Sequence, residues 1–149
     1  MVWGCICAEG TVDIVWMHEN INSNLYEEEI LEKRVKLFAY LEKDGIFQQD
    51  NARPHTAQKI KDWFQKEKIE LLEWPAQSPD LSPIENIWAW IKHNVWEKQK
   101  NIKTQEDLWE FVQNIWWSEN LKKICQNADN SMPDRINEVI LQKGGPTSY

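Results

Sequence analysis

The sequence lacks an excess of positive charge. Its 17 basic side chains stand against 24 acidic ones, a net charge of −7 at neutral pH, and the pI is near 5.0. A general, sequence-independent DNA binder normally carries a basic stripe, so the charge balance argues against that class, but it does not exclude a local site where carboxylates hold a metal against nucleic acid. Cysteine is scarce too. There are three, an odd number, and Cys5 and Cys7 are separated by one residue. Paired zinc-binding cysteines want two to four intervening residues and further ligands. Strand alternation instead puts both thiols on one face as small core residues, and reduced thiols fit a cytosolic or nuclear setting. No apolar run is long enough to span a bilayer, and no membrane partner is expected. The apolar opening from Met1 to Ala8 has no basic leader and meets Glu9 too soon for a signal peptide. Internal repeats, low-complexity tracts and a linker to a second domain are also missing.

What remains is an ordinary globular composition. The 149 residues are 42% hydrophobic and 28% charged, the size and balance of one domain. A chain of this length buries roughly two-thirds of its surface on folding, enough for a core. Tryptophan is the outlier, at ten of seventeen aromatic residues.

Trp3 to Trp16 reads as two strands around a turn at Glu9-Gly10-Thr11. From Leu25 to Lys43 the period becomes helical, with Tyr26, Ile30, Leu37 and Leu41 on one face and an end at Asp44-Gly45. A short strand, Ile46 to Gln49, runs into Asp50. A helix follows from about Thr56, striped by Ile60, Trp63 and Phe64, then a strand from Ile69 to Trp74. Three prolines between Trp74 and Pro83 deny regular structure to that stretch. Ser82-Pro83 marks the start of a helix whose core face is Ile84, Ile87, Trp88, Ile91 and Val95. Thr104 and Ser131 open two further helices, the last ending at Gly144-Gly145. Strands and helices in this order make a mixed α/β domain.

Two carboxylates stand where chemistry would use them. Asp50 lies just past the end of a strand, a common place for a site in open α/β sheets. Glu85 lies in the first turn of the helix after the proline-rich loop. Paired carboxylates on rigid elements can clamp divalent metal for phosphodiester chemistry, and Mg²⁺ favours such oxygen ligands with water and phosphate. Spacing alone leaves a second reading open: Ser82-Pro83-Ile84-Glu85 is also a capping box, and Asp50-Asn51 before Pro54 is also a turn.

The surrounding residues decide between them. Phe47-Gln48-Gln49-Asp50-Asn51-Ala52-Arg53-Pro54-His55, and the run Trp74-Pro75-Ala76-Gln77-Ser78-Pro79-Asp80-Leu81-Ser82-Pro83-Ile84-Glu85-Asn86-Ile87-Trp88, closely resemble the Tc/mariner superfamily of cut-and-paste DNA transposases. Trp3-Gly4-Cys5-Ile6, Met132-Pro133, Arg135 and Gly144-Gly145 through Tyr149 match the family as well. Thirty-four residues lie between Asp50 and Glu85, an interval that with a terminal Glu resembles the Tc branch. The resemblance implies a ribonuclease H-like α/β fold, a mixed sheet flanked by helices, with a catalytic triad of Asp, Asp and Glu or Asp. Asp50 matches the second acid and Glu85 the third, and both would ligate Mg²⁺ or Mn²⁺.

The match also has a gap. The family's first Asp lies on the central strand, upstream of the Trp-Gly-Cys segment at which this chain begins. The expectation is therefore a transposase catalytic domain over 1–149, truncated at its N-terminus, with that strand and the helix-turn-helix DNA-recognition domains absent. Asp13 is a poor substitute, being an exposed polar position on a different strand. Asp80 matches a loop acid whose job is to hold the loop, and Ser82 replaces the family's usual Asn while keeping an N-cap. His55 follows the second acid in the family motif and can touch nucleic acid or pack the helix start. Lys92, two turns beyond Glu85, can meet a DNA phosphate or remain solvated. Trp88, Trp109 and Trp116 have core spacing.

The resemblance implies Mg²⁺-dependent cleavage of DNA phosphodiesters and strand transfer of the 3′ hydroxyl, with DNA as partner and the nucleus as location. With two of three carboxylates, the chain is expected to be inactive alone. Exposed sheet edges would favour self-association. The alternative is a non-catalytic transposon remnant or a co-opted nucleic-acid- or protein-binding module; a third reading is a plain α/β domain whose acids cap and turn.

Overall fold

β-branched and aromatic side chains carry the first residues into β1 (Val2–Cys7) and β2 (Gly10–Trp16), an antiparallel pair. Val2 stands opposite Trp16 and Cys7 opposite Gly10, with a bulge between Cys5 and Ile6. Gly10 closes the hairpin at φ 142°, a backbone region that side-chain-bearing residues avoid. The computed structural model describes residues 1–41 and 45–149. They form two compact units, one of Met1 with residues 17–77 and one of residues 2–16 with 78–149.

In the first unit the chain enters a helix through α1 (Ser23–Leu25), where the Asn22 side chain accepts hydrogen bonds from Asn24 N and Leu25 N. It then widens into a π-helical stretch, Tyr26–Val35, before α2 (Lys36–Leu41). The widening corrects the expected helix face. Hydrogen bonds from i to i+5 give more residues per turn, so Tyr26, Ile30, Leu31 and Val35 are buried together while Leu37 is 64% exposed. The helix end expected at Asp44 lies outside the described residues.

β3 (Ile46–Phe47) and β4 (Glu70–Leu71) pair in parallel, and a Leu72 N–H to Phe47 carbonyl bond of 2.9 Å extends the pairing. Both strands are shorter than their sequence suggested. Parallel strands need a crossover, here supplied by α3 (Arg53–Thr56) and α4 (Gln58–Glu67). The predicted stripe on α4 is present, with Ile60, Trp63 and Phe64 all buried. Lys68, in the left-handed region at φ 58°, ends α4 and turns the chain into β4.

The second unit is built on α5 (Pro83–Lys98), α6 (Gln105–Trp116), α7 (Glu119–Asn130) and α8 (Met132–Leu141). Its core gathers Ile14, Ile87, Ile91, Val112, Trp116, Leu121 and Cys125, with Ile84, Trp88, Val95 and Trp109 packed against it. Trp88 stacks on Trp116 at 5.5 Å between ring centroids, so the tryptophan spacing does mark core. Thr104 opens α6 with a full capping box to Asp107. The region beyond Thr104 holds three helices rather than the expected two. Ser118 accepts a hydrogen bond from Leu121 N at 3.2 Å and starts α7 afresh, a cap that the continuing apolar spacing concealed.

Candidate active site

Asp50 leaves the carboxyl end of β3 at the head of the crossover, and its side chain is 71% exposed. Its Oδ1 accepts the Ala52 N–H at 3.1 Å and lies 2.6 Å from His55 Nδ1. The Asp50-Asn51 turn is therefore real, yet it uses one carboxylate oxygen and leaves Oδ2 outward, with no hydrogen bond among the described residues. His55 is held from behind. Its ring lies 4.4 Å from that of buried Tyr26, the Tyr26 hydroxyl donates to Gln49 Oε1 at 2.7 Å, and Gln49 Nε2 donates to the His55 carbonyl at 3.4 Å. Asn51 Nδ2 donates to the Trp74 carbonyl at 2.8 Å, tying the segments that follow β3 and β4. These groups border a cleft of about 720 Å³ whose lining includes Asp50, Asn51, His55, Phe64, Leu72 and Trp74.

Glu85 belongs to the second unit, exposed in the first turn of α5. The capping-box reading is not what forms there. Ser82 occupies the N-cap position with Pro83 behind it, but its side chain makes no capping hydrogen bond, and the turn closes through Glu85 N–H to the Ser82 carbonyl at 3.1 Å. The Glu85 carboxylate is thus left to solvent. Lys92 is exposed on the same helix.

The loop that delivers Glu85 contains a short 3₁₀ turn, Pro79–Leu81. Asp80 does hold it: Oδ2 accepts the Thr147 N–H at 2.9 Å, and this backbone donor draws the Asp80 carboxyl below its usual range. Arg135, 2% exposed, donates to the Asp80 carbonyl and to Asn86 Oδ1, each at 2.7 Å. Asp13 is half-buried in β2 opposite Cys5 rather than exposed, and its Oδ1 accepts its neighbour's Ile14 N–H. Burial pushes the Cys5 thiol up to about 12, with Cys7 and Asp13 adding to the shift.

The structure thus brings together Asp50 and His55 in one unit, and carries Glu85 and Lys92 on one helix of the other. Exposed carboxylate oxygens, one of them with an unengaged Oδ2, suit a hard divalent cation in kind. Among the described residues there is no group of three His, Cys, Asp or Glu side chains placed to hold a metal. Nothing in the sequence marks Tyr26 and Gln49 as partners of His55, since Tyr26 carries the same signal as any core stripe residue. Asn86 gave a signal only through its place beside Glu85.

Residues 1–109 match the model of the family described as DDE superfamily endonuclease. Over 153 residues, spanning all of this chain and 45% of the relative, the sequence is 37% identical to the transposable element Tc3 transposase of Caenorhabditis elegans. Over 151 residues it is 35% identical to the transposable element Tcb2 transposase of Caenorhabditis briggsae, covering 54% of it. The chain spans about half the length of these curated relatives. The backbone is similar to the catalytic domain of Mos1 mariner transposase, with a TM-score of 0.79 at 19% identity over 95% of this chain and 72% of that one. Structures of that domain with Mg and with Mn give TM-scores of 0.79 and 0.77. The fold is accordingly the ribonuclease H-like α/β fold of that catalytic domain, and the chain belongs to the DDE superfamily endonucleases, among the relatives of the Tc1/mariner transposases.

Proposed function

We propose that residues 1–149 contribute two of three catalytic carboxylates, Asp50 and Glu85, to a DNA transposase that cleaves phosphodiesters and transfers the resulting 3′ hydroxyl. The observation that carries this reading is the state of Asp50: it stands at the carboxyl end of a strand, with Oδ1 fixed by Ala52 and His55 and Oδ2 turned outward. Ligands of open α/β sheets bind at that edge. Glu85, with its carboxylate free of the capping box, supplies a second hard-oxygen donor.

Mg²⁺ or Mn²⁺ would be held by Asp50 and Glu85, and would supply activation of the attacking oxygen and charge neutralisation at phosphorus. The relatives' named activity and the Mg- and Mn-containing structures of the Mos1 domain support that choice of ion. Asp50 and Glu85 are two carboxylates of a three-carboxylate chemistry, and two alone are expected to leave DNA uncleaved. His55 fixes the aim of Asp50, Lys92 meets a phosphate of the bound DNA, and the nucleus is the location that a DNA substrate implies.

The test is a chimera of the Tc3 transposase in which this chain replaces the matching stretch. Excision of a marked transposon that disappears in both Asp50→Ala and Glu85→Ala supports the reading. Excision that survives both substitutions contradicts it, and a chimera that binds transposon DNA without excising it favours the co-opted binding module.

A further inference from the structure

A guanidinium is costly to bury unless all its nitrogens are satisfied. Arg135 meets that condition unusually, because its direct partners carry no net charge. Nε donates to Ser131 Oγ at 2.8 Å, Nη1 to the Asp80 carbonyl at 2.7 Å and Nη2 to Asn86 Oδ1 at 2.7 Å, while the Tyr149 ring lies 4.6 Å from Cζ. Two of those partners bracket Glu85 along the chain. Asp80 sits in the turn that leads into α5, and Asn86 is the next residue after Glu85. The bracket is pinned a second time, since the Asp80 carboxylate accepts Thr147 N–H while Ser148 donates its N–H and Oγ–H to Glu138 of α8.

From this geometry we infer that Arg135 is a positioning residue for Glu85: its planar fork ties α8 to both sides of the first turn of α5 and so fixes where the Glu85 carboxylate points. The fork geometry is essential, because a lysine ammonium is a single point donor and cannot span the Asp80 carbonyl and the Asn86 amide in one orientation. Among the described residues Arg135 makes no hydrogen bond or ion pair with Glu85, so it acts through the backbone of the loop and helix start. This inference rests on the proposed role of Glu85.

The test compares the full chain with Arg135→Lys, with Ile91→Val as a control that loosens the same core further along α5, and with Glu85→Gln. Amide hydrogen exchange is read residue by residue, and Mn²⁺-dependent line broadening is read at residues 84–88. Arg135→Lys is expected to speed exchange at least tenfold at the amides of residues 80–82 and 84–87 while leaving α6 and α7 unchanged, and to weaken the Mn²⁺ effect toward that of Glu85→Gln. Ile91→Val keeps the wild-type Mn²⁺ effect. Exchange that rises evenly over the whole unit in Arg135→Lys, or stays unchanged at 80–82 and 84–87, overturns the inference. If Glu85→Gln broadens as wild type does, the metal role of Glu85 falls instead, and the exchange pattern alone decides whether Arg135 fixes the turn.

Discussion

His55 Nδ1 stands 2.6 Å from Asp50 Oδ1, and the imidazole is itself packed at 4.4 Å against the ring of Tyr26. An exposed carboxylate of the first unit is thereby coupled to one of its most buried side chains. His55→Ala removes the carboxylate bond and the ring contact, and is expected to cost about 1–2 kcal/mol in urea unfolding. Tyr26→Phe removes the hydroxyl bond to Gln49 and should cost about 1 kcal/mol. The double variant should fall short of the sum by more than about 0.5 kcal/mol, because the groups share one network. Strict additivity would show that the contacts are independent.

Asp80 sets an acid dependence. Its carboxyl titrates below the ordinary range because the folded state gives it the Thr147 N–H. A depressed folded value means that the contribution is present in full above the unfolded carboxylate range, and is lost as pH falls through it toward the folded value. Wild type should therefore exceed Asp80→Asn in stability by about 1 kcal/mol near neutral pH, and the gap should close on acidification. A gap that stays constant in urea titrations from neutral to acid would contradict this assignment.

Gly4 is fixed by what surrounds it rather than by its backbone angles. A Cβ there would lie 2.6 Å from Trp116 Cη2 and 3.0 Å from Trp88 Cη2, both parts of rigid, stacked indoles. Gly4→Ala should destabilise the chain by about 1–3 kcal/mol, the usual range for overpacking. Trp116→Phe in the same background should recover part of that loss. Thermal melts of wild type, Gly4→Ala and the double variant check the order.

Among the described residues each sheet has two strands, leaving open edges, and Ile46 of β3 is 53% exposed. Such edges invite pairing with another chain. Sedimentation velocity should show association that grows with concentration and weakens in Ile46→Lys. A single monomeric boundary at every concentration would count against it.

The sequence makes some of this fold legible and hides the rest for physical reasons. Ile60, Trp63 and Phe64, like Ile87 and Ile91, follow the α-helical period, and all five are buried where that period puts them. Leu37 fails the same test because the π-helical stretch before it shifts the face by its extra residues per turn. Thr104 announces its helix with a complete capping box, while Ser118 interrupts an apolar pattern that itself gives no sign of stopping. Asp50 and Glu85 stand out through the motif around them. The bonds that hold their surroundings, from Tyr26 to Gln49 and from Arg135 to Asp80 and Asn86, join residues 23, 55 and 49 positions apart, a separation to which local spacing is blind.

Whether Asp50 and Glu85 are metal ligands is decided by a thermal melt with and without Mn²⁺. Wild type, Asp50→Asn and Glu85→Gln are compared at fixed ionic strength, so that screening is constant. An ion that binds only the folded state stabilises it as RT ln(1 + [L]/Kd), about 1.4 kcal/mol at tenfold excess over Kd. Carboxylates without a full ligand set hold a divalent ion weakly, so millimolar-scale Mn²⁺ is needed, and Mn²⁺ should do at least as well as Mg²⁺. The account expects wild type to gain stability with metal and each substituted chain to gain clearly less. Equal gains in all three chains, or none in any of them up to saturating Mn²⁺, would contradict it.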